Sequence, residues 1–266
     1  MKKILVITLP LLIIMGCSKS EHINIEYNGR NFDILKYEQK DVDISSNTGI
    51  FLTYGQSNSS NHGELGYNVK KDVFQFVLSE TFIYQDPSLG CTGKRGSVWG
   101  MVGDKLIENG LYENIVFSNC GWGGRKIEEL KEGHYLYYLI QNYNGLIEKF
   151  GRVDGILFHQ GEGNNKLDGT GTKNYYNDFV EFVENLKKNG IETPIYLSRV
   201  SLCKKRLPNK ILTDIQNKLI EDLDIIKEGP NTDLLTEKKY RLDDYCHFSL
   251  EGYDKFSDMW VEFLKN

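Results

Sequence analysis

Four short stretches, far apart in the chain, carry side chains able to do acyl chemistry. Ser57 stands in Gly55-Gln56-Ser57-Asn58, directly after the apolar run Ile50-Phe51-Leu52-Thr53-Tyr54. A serine at a strand-to-loop corner, preceded by glycine, can expose its hydroxyl and turn its own N–H toward a bound carbonyl. Cys120-Gly121-Trp122-Gly123-Gly124-Arg125 follows a second apolar run, and its glycines let backbone N–H groups approach a ligand closely. No Gly-Lys-Ser/Thr ending is present there, which speaks against a phosphate-binding loop. His159-Gln160-Gly161-Glu162 offers an amide and a carboxylate in one loop. With Asp168 it also reads as an oxygen cluster for calcium, although calcium asks for more acidic ligands at regular spacing. Asp244 and His247 are three residues apart, so the carboxylate can reach Nδ1–H of the imidazole and leave Nε2 free to take a proton from a serine. Each stretch alone also reads as an ordinary polar loop. In this order they supply a nucleophile, a base, an orienting acid and a set of N–H donors. His159 reads as a packed strand-end histidine, and His22, His62 and His134 as surface or core residues.

The elements that must position these residues follow from the hydrophobic pattern. Buried strands are predicted over Ile50–Tyr54, Asn114–Ser118, Val153–Phe158 and Pro194–Val200, each a continuous apolar run bounded by turn residues. Helical spacing covers Val98–Asn109, Tyr135–Phe150, Tyr175–Lys188, Leu212–Leu223 and Leu250–Leu264. Alternating strands and helices predict a parallel sheet covered on both faces, a three-layer α/β/α sandwich. In such sheets ligands sit beyond the carboxyl ends of the strands, which is where three of the four stretches fall. The fourth directly precedes the last helix.

On these residues the chain resembles an SGNH hydrolase, more narrowly the branch of sialate O-acetylesterases and acetylxylan esterases of carbohydrate esterase family six. Gly55-Gln56-Ser57-Asn58, Gly123-Gly124 with Ile127, His159-Gln160-Gly161-Glu162 and Asp244-x-x-His247 carry the resemblance. It implies a central, mainly parallel sheet of flavodoxin-like type and a serine esterase that removes O-acetyl groups from carbohydrate through an acyl-enzyme. Carried over, Ser57 is the nucleophile, His247 the general base and Asp244 its partner. The Ser57 N–H, the Gly124 N–H and the Gln160 amide form the oxyanion hole. Glu162 competes with Asp244 for the acid role, and Gln56, Asn58, Gly123 and Arg125 are candidate substrate contacts. Where this branch has Gly-Gly-Thr or Gly-Gly-Ser, the chain has Gly-Gly-Arg. The resemblance calls for no metal and no cofactor. A lipase or thioesterase, a glycan O-acetyltransferase and a non-catalytic glycan-binding lipoprotein are the alternatives.

The rest of the chain sets the context. Its 266 residues, 40% hydrophobic and 26% charged, suit one α/β domain over residues 49–266. Met1-Lys2-Lys3 and the apolar Ile4–Gly16 read as an export signal, and Gly16-Cys17 as a lipobox whose cysteine is lipidated. Residues 17–48 read as a tether and an edge element, with Ile23, Ile25 and Tyr27 alternating as in a short strand. The protein is thus expected to be exported and lipid-anchored to the bacterial cell envelope, on the periplasmic or cell-surface side, meeting the membrane only through its anchor. The net charge of −5 becomes −7 once Lys2 and Lys3 are removed, which makes nucleic acid a poor partner. Cys91, Cys120, Cys203 and Cys246 allow two disulfides or four buried thiols; Cys203–Cys246 is the preferred pair, because both follow segments at the same end of the sheet.

Overall fold

A computed structural model describes residues 24–27, 30–77, 79–165, 170–204 and 207–265. The export signal, Cys17, His22 and Asp168 lie outside the described residues. In chain order the elements are β1 (Asn24–Tyr27), β2 (Arg30–Asp33), β3 (Thr48–Gly55), β4 (Val73–Val77), β5 (Glu80–Ile83), α1 (Trp99–Glu108), β6 (Asn114–Asn119), the short α2 (Ile127–Leu130), α3 (Gly133–Phe150), β7 (Gly155–His159), α4 (Tyr175–Lys188), β8 (Ile195–Arg199), α5 (Lys210–Asp222), β9 (Ile226–Asn231) and α6 (Leu250–Leu264). Seven strands form the central sheet in the order β5-β4-β6-β3-β7-β8-β9. All neighbours are parallel except β4 and β5. The expected α/β/α sandwich with a mainly parallel sheet is the fold observed.

Alternation along the strands builds the two cores. Ile50, Leu52 and Tyr54 of β3, Val116 of β6, and Ile156 and Phe158 of β7 face α3, α4 and α5, where they meet Leu139, Leu146, Phe179, Phe182 and Leu219. Phe51, Ile115, Phe117 and Leu157 face α1 and α6, against Trp99, Val102, Phe256 and Trp260. Successive side chains of a strand point to opposite faces, so a strand covered on both sides must be apolar throughout. The four expected strands and five expected helices are all present, every end within two residues of the expected one and the bounds of α4 and α6 identical to it.

Three strands of the sheet were not anticipated. The β4–β5 hairpin forms one edge, and residues 38–40 run along β5, where Lys40 N donates to Thr81 O and Ile83 N to Glu38 O. β9 closes the other edge with the sequence Ile-Lys-Glu-Gly-Pro-Asn, too polar to read as buried. Ile25 and Tyr27 do lie in a strand, but β1 pairs only with β2, in a separate two-stranded sheet. Among the described residues no helix is long and apolar enough to cross a membrane.

Candidate active site

The central strand β3 ends at Gly55, whose φ of +136° and contact with the β7 backbone leave no room for a side chain: a Cβ would strike His159 O. The chain turns there into a single 3₁₀ turn over Ser57–Ser59. The first N–H groups of such a turn have no partner within it. Ser59 and Ser60 both return their hydroxyls to Gln56 O at 2.8 Å, and Trp99 Nε1 donates to Ser59 O at 2.8 Å. The Ser57 hydroxyl makes no hydrogen bond among the described residues and stays open to solvent.

Asp244 and His247 meet as their spacing requires. His247 Nδ1 donates to Asp244 Oδ2 at 2.5 Å, while Asp244 Oδ1 accepts the backbone N–H groups of Cys246 (2.9 Å) and His247 (3.0 Å). Partial burial works against the Asp244 charge, but these backbone bonds and the His247 ring outweigh it and hold the carboxyl below its usual range. The loop is fastened from below: Arg241 Nη1 donates to Cys246 O at 2.7 Å, Nη2 to Thr232 O at 2.9 Å, and the guanidinium lies 4.0 Å from the Phe248 ring centre. A disulfide joins Cys246 to Cys203 in the loop after β8, the preferred pairing; Cys91 and Cys120 are buried free thiols.

Asn58 connects the two halves. Its Nδ2 donates to Cys246 O (3.1 Å), beside His247, and to Glu162 Oε1 (2.7 Å). The residue after Ser57 is thus bonded to the residue before His247. No hydrogen bond joins the Ser57 hydroxyl to the His247 ring. Both Ser57 Oγ and His247 Nε2 are unpartnered, so their approach breaks no existing bond.

Several candidates occupy positions other than those expected. Asn58 is only 3% exposed with its amide protons engaged, so it braces the site rather than contacting substrate. Glu162 is buried on Asn58 and on His159 Nε2 (3.3 Å) and does not touch His247; the partner of His247 is Asp244. Burial opposes ionisation of Glu162, but His159 and Asn58 outweigh it and lower its pKa. Gln160 is fully buried, and its Nε2 faces Asn164 Oδ1 (2.7 Å), Gln56 Oε1 (3.3 Å) and Arg125 O (3.3 Å). That amide points inward, contrary to the expected oxyanion role. Arg125 is folded onto Glu129 (2.8 Å) and the Tyr135 hydroxyl (3.1 Å).

The glycine turn separates its two N–H groups. Gly123 N donates to Thr92 Oγ1 at 2.6 Å, which leaves Gly124, exposed and at φ +71°, with an N–H that has no partner among the described residues. His62, expected as a surface or core residue, instead stacks its ring on His247 with centroids 5.6 Å apart and planes 22° apart. Thr92 Oγ1 lies 3.3 Å from His62 Nε2. Burial first, then the His247 and Arg95 charges, lower the His62 pKa to about 4, so the ring is neutral near pH 7 and does not oppose an imidazolium at His247. No local sequence signal marks His62 or Thr92, since neither has a chemical partner nearby in the chain. Trp99 is fully buried in the α1 core. Among the described residues no group of three His, Cys, Asp or Glu side chains could hold a metal ion.

The model of a protein family described as "Carbohydrate esterase, sialic acid-specific acetylesterase" matches residues 92–265. That span contains the glycine turn, Gln160, Asp244 and His247, and begins after Ser57. Three solved structures share the fold. A protein from Arabidopsis thaliana superposes with a TM-score of 0.65 at 16% identity, over 83% of this chain and 98% of the other. A carbohydrate acetylesterase from Xanthomonas citri gives 0.55 at 15%, over 80% and 55%. A lipase/acylhydrolase from Enterococcus faecalis gives 0.53 at 16%, over 82% and 95%. No curated protein sequence matches the chain.

Proposed function

The chain belongs to the sialic acid-specific acetylesterase family of carbohydrate esterases, and from that premise we propose that it removes O-acetyl groups from carbohydrate by way of a Ser57 acyl-enzyme. The observation that carries this reading is the Asp244–His247 pair, tied through Cys246 O and Asn58 to the residue next to an open serine hydroxyl. Asp244 fixes the imidazole with its proton on Nδ1, so Nε2 can take the Ser57 proton as Oγ adds to the ester carbonyl. The same proton then goes to the departing sugar oxygen, and water releases acetate by the reverse route. Catalytic hydrogen bonds are often long in the free enzyme and tighten with substrate, which accommodates the open Ser57–His247 pair.

The test measures acetate released from O-acetylated sialic acid, acetylated xylan and an acetylated bacterial polysaccharide, by the wild type and Ser57→Ala. Release by the wild type alone, with fluorophosphonate labelling lost in Ser57→Ala, is expected. Persistent labelling of Ser57→Ala would mean another nucleophile, and a preference for long acyl chains would mean a lipase. We also propose that residues 1–16 are a leader, that a lipidated Cys17 anchors an exported esterase domain at 49–266, and that residues 17–48 tether it. Palmitate incorporation that survives Cys17→Ala would refute the anchor.

A further inference from the structure

Thr92 has two faces. On the catalytic side its Oγ1 accepts from Gly123 N (2.6 Å) and lies 3.3 Å from Nε2 of His62, whose ring stacks on His247. On the other side it lines a cavity of about 450 Å³ between residues 33–37 and 87–94. A cavity of that size holds a small molecule or a single sugar unit. The wall at 33–37 lies outside residues 92–265, the span matched by the esterase family.

Both walls are fixed by bonds of their own. Ile34 and Tyr37 pack on Val77, Phe82 and Leu89; Tyr37 Oη donates to Pro87 O at 2.6 Å, and Gln85 Nε2 to Lys36 O at 3.0 Å. Opposite, the Asn61 side chain exchanges two bonds with the Ser88 backbone, Nδ2 donating to O at 2.7 Å and Oδ1 accepting from N at 2.8 Å. Asn61 N donates to Thr92 O at 3.0 Å. Gly93, at φ +97°, lies so close to Asn61 O that a Cβ would strike it. The Tyr37 hydroxyl and the Asn61 amide are thus engaged in the walls. What remains for a ligand is the half-buried Tyr37 ring and the charges of Asp33, Lys36 and Lys94. Asp33 is paired with Lys36 at 3.1 Å. Lys94 is exposed and has no carboxylate within ion-pair distance among the described residues. The lining therefore carries one excess positive charge, on a chain whose net charge is −5. Arg95 continues this positive edge toward the catalytic side, where its charge bears on His62.

We propose that this cavity is a second subsite, which takes a carboxylate-bearing sugar unit next to the acetylated one, so that the substrate is a glycan chain rather than a free sugar. A pyranose lays its C–H face on the Tyr37 ring, and its carboxylate accepts from Lys94 and Lys36 in charge-assisted bonds. Thr92 and His62 stand between the cavity and His247. The unit in the cavity is therefore a neighbour, along the chain, of the sugar whose ester meets Ser57.

As a subsite the cavity rests on the esterase reading, and the experiment keeps the two apart. The probes are methyl glucuronide and methyl glucoside, which differ only in the carboxylate, added to ¹⁵N-labelled wild type whose Ser57 has been blocked with an alkyl fluorophosphonate. Methyl glucuronide should shift the backbone amide signals of Tyr37, Gly93 and Lys94, and methyl glucoside should not. Raising NaCl from about 0.05 to about 0.5 M should weaken the binding. Lys36→Glu/Lys94→Glu should weaken it at least about tenfold. The same variant should keep the wild-type kcat and KM for p-nitrophenyl acetate, which fills only the acetyl site. Equal shifts with both sugars, or glucuronide shifts that persist in the double variant, overturn the carboxylate assignment. No shift with either sugar, or shifts that the phosphonate abolishes, overturn the separate subsite. A wild type that neither hydrolyses p-nitrophenyl acetate nor takes up the phosphonate, yet binds the glucuronide at these residues, overturns the esterase reading alone.

Discussion

The disulfide that precedes the catalytic histidine permits a quantitative test of what positions it. Cys203 and Cys246 are 43 residues apart in the chain, and a cross-link closing a loop of that length removes denatured-chain entropy worth about 4 kcal/mol at 25 °C. With an m-value of about 2–3 kcal/mol per M urea for a domain of this size, reduction or the double variant Cys203→Ala/Cys246→Ala should lower the urea midpoint by about 1.3–2 M. Activity should respond differently. The Asp244–His247 bond is local, two backbone N–H groups reinforce it, and Asn58 and Arg241 grip Cys246 O independently of the sulfur. The reduced protein, assayed well below its own midpoint, should therefore keep kcat for p-nitrophenyl acetate within about tenfold of the oxidised form, as breaking one of several restraints allows. An unchanged midpoint would refute the entropic constraint. A much larger activity loss in the still-folded reduced protein would refute the idea that hydrogen bonds alone set the histidine.

The two carboxylates near the site should separate cleanly in mutagenesis. Asp244→Asn, which removes the acceptor for Nδ1–H, should lower kcat by about 10³–10⁴, whereas Glu162→Gln should keep most of the turnover and lose about 1–3 kcal/mol of stability by disturbing a buried network; the reverse ranking in kcat would return the acid role to Glu162. Asp86 gives a stability prediction remote from the chemistry. Burial raises its pKa to about 7, against the hydrogen bonds from Ser97 and Tyr84, so the folded protein holds this proton more tightly than the unfolded chain. Its contribution is fully present below about pH 4 and is lost as pH rises to about 7, a cost approaching about 4 kcal/mol. Asp86→Asn should match the wild type in urea melts near pH 4 and exceed it near pH 8; parallel stability curves would show that the carboxyl is already ionised at low pH.

Much of this molecule is written locally. The runs that become β3, β6, β7 and β8 are apolar on both faces, a pattern few structures except a covered parallel sheet satisfy, and the first three are each followed by a loop that carries chemistry. Asp244 and His247 need only one turn of chain to meet. The strands that escaped notice have physical reasons: β9 lies at the edge, where Lys227 and Glu228 stay wet and Pro230 is tolerated, and β4 with β5 are short segments whose register comes from pairing. What tertiary structure alone decided is the direction of the polar groups. Whether Gln160 turns its amide inward depends on Gln56, 104 residues away. Whether Gly123 or Gly124 keeps a bare N–H depends on Thr92, and whether Glu162 meets the histidine depends on Asn58, 104 residues away. Hydrophobic periodicity is a property of neighbours in the chain and can be read from it. A hydrogen bond goes to whichever donor or acceptor folding delivers, and only the assembled sheet brings these together.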